Sequence, residues 1–240
     1  MPEAPELSLV IPAFNQRART IRAAREADAW LRGQFGSRAE LIVVDDGSQG
    51  PQKLSPGDLP AGTVLVTHPR NLGKGGAVRS GMVQARGAYA VFTDSDLPFS
   101  LDPLPRTLEH LRDGADVVIG DRLHPESAAQ VRVGPLRHLS SVAYTWMVNH
   151  ALGLDFPDTQ CGYKGYRRDA ARDLFGRLKT TSFAFDAELL LRARAAGYRV
   201  VRQPVRLVHN DDSSVRLLRH APGMLLDMAR LAWRRWRRSL

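Results

Sequence analysis

Cysteine is nearly missing from this chain: among 240 residues there is one, Cys161. A single thiol makes no internal disulfide and no cysteine-based zinc site, which points to a reducing compartment. Aromatic residues are sparse, at 7%. No run of about 18 uncharged apolar residues occurs, which excludes an ordinary membrane-spanning helix. The opening Met1-Pro-Glu-Ala-Pro5 has neither the basic nor the apolar segment of a secretion signal, so a cytoplasmic location is expected. Internal repeats and low-complexity linkers are absent as well.

The remaining composition is that of a globular protein. Hydrophobic residues make up 43% and charged residues 25% of a chain long enough for a substantial core. The net charge of +9 is concentrated at one end. Residues 213–240 hold Arg216, Arg219, Arg230, Arg234, Arg235, Arg237 and Arg238 against one acid, Asp227. The first 212 residues are close to balanced, so the basic excess belongs to a tail, and no nucleic-acid partner is expected. The expected organisation is a body over residues 1–212 and a basic C-terminal helix over 213–240.

Short β-branched runs alternate with helical spacing along the body. Leu7–Pro12, Leu41–Val44, Val64–Val66, Tyr89–Phe92 and Asp116–Ile119 read as strands, and Ala18–Leu31 and Leu104–Asp113 as helices. This order predicts an α/β fold with a mostly parallel sheet flanked by helices and ligands at the carboxyl ends of its strands. Beyond residue 120 the alternation weakens. Leu139–Leu154 reads as a buried or interfacial helix, Phe183–Arg194 as another helix, and Arg199–Val208 as an alternating strand.

Polar clusters follow several of the strands. Asp94-Ser95-Asp96 places two carboxylates two residues apart, so in extended chain both face one side. Such a pair repels itself unless a cation intervenes, and Mg²⁺ or Mn²⁺ is the hard ion that suits it. Asp45 and Asp46 either accept hydrogen bonds from a nucleobase or ribose, or build a turn and helix cap with Gly47 and Ser48. Pro12-Ala-Phe14-Asn15 ends its strand and forms a base-binding wall if Phe14 is exposed. Arg70–Gly81 joins Lys74 to four glycines that permit close approach to phosphates. Its spacing matches neither the Walker nor the dinucleotide fingerprint, which disfavours a kinase or dehydrogenase. Arg122, Arg132 and Arg137 are candidates for holding an anionic acceptor. The histidines have no metal-like spacing.

In this order the motifs resemble a family 2 glycosyltransferase of the GT-A (Rossmann-like) fold. The resemblance rests on Val10-Ile-Pro-Ala-Phe-Asn15, Ile42-Val-Val-Asp-Asp-Gly-Ser48, Asn71-Leu-Gly-Lys-Gly-Gly76, Asp94-Ser-Asp96 and Gly120-Asp-Arg122. Asp158-Thr-Gln-Cys-Gly-Tyr-Lys164 and Phe183-Ala-Phe-Asp-Ala-Glu-Leu189 narrow it to the dolichyl-phosphate β-glucosyltransferase branch and its bacterial polyprenyl-phosphate relatives. The resemblance implies inverting transfer of a hexose, with UDP-glucose the first donor to consider and GDP-mannose the second. It assigns Pro12, Phe14, Asn15, Asp45 and Asp46 to base and ribose, and Lys74 and Ser95 to the nucleotide side. Asp94 and Asp96 would hold the divalent cation, and Arg122, Arg132 and Arg137 would meet the acceptor phosphate. Two positions depart from the family pattern. Gln16 stands where the family usually has glutamate, and Pro98 where mannosyl enzymes commonly have a glutamine.

The acceptor decides the chemistry expected of Asp186. A sugar hydroxyl needs a carboxylate base, whereas a lipid phosphate with a second pKa of about 6 is already largely dianionic. A soluble acceptor, or a basic membrane- or nucleic-acid-binding module without catalysis, are the alternatives. Projected at about 100° per residue, Met224, Leu225, Met228, Leu231, Trp233, Trp236 and Leu240 share one helical face, with most arginines opposite. That pattern predicts peripheral attachment to the cytoplasmic face of an anionic membrane, where a polyprenyl or dolichyl phosphate would be met.

Overall fold

The computed structural model describes residues 4–129, 135–208 and 217–236. The strands are β1 (Leu7–Ala13), β2 (Ala39–Asp45), β3 (Val64–Thr67), β4 (Tyr89–Phe92), β5 (Val117–Asp121), β6 (Ala128–Ala129), β7 (Lys164–Arg167), β8 (Val200–Pro204) and β9 (Arg206–Leu207). The helices are α1 (Arg17–Phe35), α2 (Lys74–Gln84), α3 (Leu104–Arg112), α4 (Pro135–Leu152), α5 (Arg168–Gly176), α6 (Phe185–Ala195) and α7 (Leu217–Trp236). Seven strands form one sheet in the order β3-β2-β1-β4-β7-β5-β8, and β6 pairs with β9 beside it.

The expected mostly parallel sheet is present, with one exception in its centre. β7 runs antiparallel to both β4 and β5. Its Lys-Gly-Tyr-Arg sequence gives no strand signal, since lysine and glycine are poor strand formers and the run is short. Pairing on both edges makes the strand regardless. The strand expected over Arg199–Val208 splits at Val205, whose N–H donates to Ser127 Oγ and whose carbonyl accepts from Ala128. That detour hands the chain from the large sheet to the small one.

Alternation along β1 and β2 separates the two layers. Leu7, Leu9, Ile11, Leu41 and Val43 pack on one side with Ala24, Ala27 and Leu31 of α1 and Leu104 and Leu108 of α3. Val10, Ile42, Val44 and Phe92 pack on the other with Val78 and Met82 of α2 and Phe185 and Leu189 of α6. Parallel strands covered on both faces need such continuous apolar runs.

Within the glycine-rich stretch 70–81 the chain becomes helical at Lys74. The C-terminal helix differs from a one-sided surface helix. Met228 and Leu231 are fully buried in the second layer, while Leu226, Trp233 and Trp236 are exposed, Trp236 at 75%. The apolar face projected from sequence is therefore shared between the protein core and the outside. Leu240, Arg237 and Arg238 lie outside the described residues, as do residues 209–216.

This division predicts unequal costs along α7. Leu231→Ala lowers unfolding free energy by about 2–4 kcal/mol through a buried cavity, whereas Trp236→Ala stays within about 0.5 kcal/mol. Chemical denaturation of the two variants measures the difference.

Candidate active site

The carboxyl ends of β1, β2, β4 and β5 open on one edge of the sheet, and the acidic clusters lie there. β4 ends at Phe92, and the chain turns through Thr93, Asp94, Ser95 and Asp96. The turn is closed by Leu97, whose N–H donates to the Asp94 carbonyl at 3.1 Å. Leu97 has φ of 43° and is buried, an uncommon left-handed conformation for leucine that marks a constrained site. Asp94 and Asp96 are both partly exposed. Burial and the charge of Asp94 push the Asp96 carboxyl above the ordinary aspartate value, against Arg19, 3.9 Å away, and Lys74. Ser95 Oγ donates to Gln16 Oε1 at 3.2 Å, so the residue that departs from the family pattern braces the aspartate turn.

Two lysines answer the acids. Lys74 Nζ, on the first residue of α2, lies 2.6 Å from Asp94 Oδ1. Burial works against its charge, but Asp94, Asp186 and Asp96 together hold its pKa above the usual lysine value. Lys164, entirely buried in β7, donates to Asp186 Oδ1 and to the Cys161 carbonyl, each at 2.6 Å. Asp186 is itself buried, and desolvation raises its pKa although Lys164 and Lys74 oppose the rise. The Lys164 ammonium occupies one of its carboxylate oxygens. The geometry gives Asp186 a charge-balancing place in the site. Cys161 is no nucleophile either, since burial pushes its thiol up to about 12.

Asp45 and Asp46 are committed to the protein. Asp45 is fully buried and accepts from the N–H groups of Ser48 and Leu54, both at 2.9 Å. Asp46 accepts from Leu72 and Gly73 at 2.9 Å and pairs with His68 Nδ1 at 2.7 Å, while His68 Nε2 reaches Ser80 of α2. These carboxylates build the loops beside the strand ends. Pro12 is likewise buried within β1. Phe14, 41% exposed, and Asn15, in a left-handed turn at φ of 51°, remain at the surface as the available wall. Asn15 Oδ1 accepts from Gln49, and its N–H donates to Ser48 Oγ.

Arg122 follows β5 and is clamped by Asp158 through Nε–Oδ2 at 2.7 Å and Nη2–Oδ1 at 2.8 Å. Despite burial, that guanidinium holds Asp158 below the ordinary carboxylate range. Asp94 adds to the stabilisation of Arg122, which ties the arginine electrostatically to the aspartate turn. Arg132 lies outside the described residues, and of Arg137 the helical backbone alone is described.

Asp94 and Asp96 fit a hard divalent cation. Their mutual repulsion favours a positive charge between them, and their oxygens suit Mg²⁺ or Mn²⁺. Among the described residues no group of three or more His, Cys, Asp or Glu side chains is placed to hold a metal, so the remaining ligands would come from substrate and water. Sequence reasoning gave no role to Lys164 or to the segment before α6. The signal available was a lysine inside an otherwise apolar and aromatic run, Cys161-Gly-Tyr-Lys-Gly-Tyr166.

A model for Glycosyl transferase family 2 matches residues 8–175. Glycosyltransferase AglD of Haloferax volcanii is 32% identical over 95% of this chain and 37% of its own length. The dolichyl-phosphate beta-glucosyltransferase of Drosophila melanogaster is 33% identical, over 88% of this chain and 69% of that protein. Its counterpart in Saccharomyces cerevisiae is 28% identical over 92% and 72%. The chain thus spans little over a third of the archaeal relative and about seven-tenths of the eukaryotic ones. Among solved structures, glucosyl-3-phosphoglycerate synthase from Mycobacterium tuberculosis, with Mn²⁺, UDP-glucose and phosphoglyceric acid, superposes at a TM-score of 0.67. That match covers 95% of this chain and 80% of the other at 16% identity, a likeness of fold.

Gly162 tests the site directly. A Cβ there would lie 2.1 Å from Asp94 Oδ2, so Gly162→Ala must displace that carboxylate. Turnover should fall by about 10²-fold from misplacement, with the circular dichroism spectrum unchanged.

Proposed function

The chain belongs to glycosyl transferase family 2, and on that footing we propose that it transfers glucose from UDP-glucose to a polyprenyl or dolichyl phosphate, with inversion. The observation that carries this reading is the enclosure of Asp186. With that carboxylate buried against Lys164, the residue offered as a general base is withdrawn from solvent. A phosphate acceptor needs none, because it is already an anionic nucleophile near neutral pH. The names of the eukaryotic relatives supply glucose and the lipid phosphate, and the mycobacterial neighbour binds Mn²⁺ and UDP-glucose.

In this reaction an acceptor phosphate oxygen forms a bond to the anomeric carbon as the bond from that carbon to the diphosphate breaks. No proton has to move. Phe14 and Asn15 offer the surface for the base. Lys74 is kept charged beside Asp94 and meets the negative charge of the donor. Asp94 and Asp96 hold the divalent ion, which when bound offsets charge on the leaving diphosphate. Arg122, fixed by Asp158, presents its charge to the acceptor phosphate.

The lipid acceptor calls for access to a bilayer. No helix among the described residues is long and apolar enough to cross a membrane. The exposed face of α7 offers peripheral attachment instead. Trp233 and Trp236 lie with ring centroids 5.3 Å apart, and Leu226 is exposed on the same helix. Tryptophan favours the interfacial zone, and the arginines of the tail attract anionic headgroups.

Two measurements check the proposal. A panel of nucleotide sugars against polyprenyl phosphate in detergent, read by mass spectrometry, should give a hexosyl phospholipid from UDP-glucose and little from GDP-mannose. Asp96→Asn or excess EDTA should remove most of that product, and Arg122→Ala should raise the apparent KM for lipid phosphate more than that for UDP-glucose. Product from a soluble phosphorylated acceptor alone would reject the lipid. In the second measurement, the double substitution Trp233→Ala, Trp236→Ala should abolish sedimentation with anionic liposomes at physiological salt. Unaltered sedimentation would place the attachment elsewhere.

A further inference from the structure

Residues 178–184, before α6, lie against the start of α2 at backbone distance. Gly75 N–H donates to the Thr181 carbonyl at 2.8 Å. A Cβ at Gly73 would stand 2.5 Å from Thr181 O, and one at Gly75 would stand 2.8 Å from Thr180 O and 2.7 Å from Phe185 Cβ. The glycines around Lys74 thus admit a protein segment. Lys74 lies between them, with Nζ 5.9 Å from the Phe183 ring centroid and 6.0 Å from that of Phe185.

Three anchors hold this segment. Glu188 accepts from Lys179 and Thr180 N–H at 3.1 and 2.8 Å, and is held by Arg192 Nε at 2.8 Å. Gly75 is the second anchor. The third comes from another element: Ser182 Oγ donates to Asp227 Oδ2 of α7 at 2.5 Å. Met228 and Leu231, sunk in the core, fix α7 at that point.

We infer that Asp227 is a positioning residue for the donor site: through Ser182 it keeps residues 178–184 seated on Gly73–Gly75, which holds Lys74 against Asp94. The consequence for the donor rests on the UDP-glucose reading above, whereas the coupling of helix to loop does not. A hydrogen bond to a charged acceptor sets the scale at about tenfold.

Hydrogen exchange and kinetics on the full chain test it. In Asp227→Ala the Gly75 amide should exchange about tenfold faster, and the KM for UDP-glucose should rise by a similar factor with kcat changed much less. Asp227→Asn keeps an acceptor oxygen and should restore both readouts, which separates the hydrogen bond from the Arg230–Asp227 ion pair. Ser182→Ala should match Asp227→Ala, and the double variant should be no worse than either, as for one shared interaction. Unchanged exchange at Gly75 in Asp227→Ala overturns the inference whatever the donor. Faster exchange with an unchanged UDP-glucose KM in an active enzyme overturns the link to the donor site. Faster exchange in a protein that never uses UDP-glucose rejects the donor reading and supports the coupling.

Discussion

Lys164 is a charged side chain without solvent exposure, on a central strand of the sheet. A buried ammonium is tolerated only when paired and hydrogen-bonded. Its partners therefore impose conditions on distant parts of the chain. α6 has to bring Asp186 to the sheet edge, and residues 158–163 have to turn so that the Cys161 carbonyl points back. The ring of Phe92, 5.6 Å away, completes the surroundings. Once Asp186 is committed there, Asp94 and Asp96 share Lys74 and Arg19 at the surface of the same cluster. The buried pair thus decides which carboxylates remain open to a ligand.

Two further acids hold the loops beside this cluster. Asp46 gathers His68, Leu72 and Gly73 around one carboxylate and so brings β3, α2 and the segment between them together. Asp45 does the same for residues 48–54. Charged acceptors of several N–H groups are strong local organisers. Their burial makes the motif a frame for the strand ends.

α7 joins two environments. Its inner side fills the core with Met228 and Leu231 and reaches the site through Asp227, while its outer side carries exposed tryptophans. Arg235 packs over Gly153 at the end of α4. One helix therefore connects the surface proposed for lipid to the residues proposed for the donor.

Much of this was legible in the chain itself. Apolar runs ending in Asp45-Asp46, Asp94-Ser95-Asp96 and Asp121-Arg122 announce a parallel sheet with acids at its carboxyl edge, because strand periodicity and the alternation with helices are local properties. The same local signals misjudge partners. β7 exists only because β4 and β5 offer hydrogen bonds on both sides of a Lys-Gly-Tyr-Arg run with little strand preference of its own. The glycines about Lys74 suggest room for phosphate, yet residues 180–185 occupy that room. Asp186 reads as a carboxylate whose role depends on the acceptor, and its pairing with Lys164, 22 residues earlier, is not visible in the pattern. Sequence determined which charges lie at the strand ends; tertiary packing alone decided which of them are neutralised inside the protein, because burial and pairing depend on residues far apart in the chain.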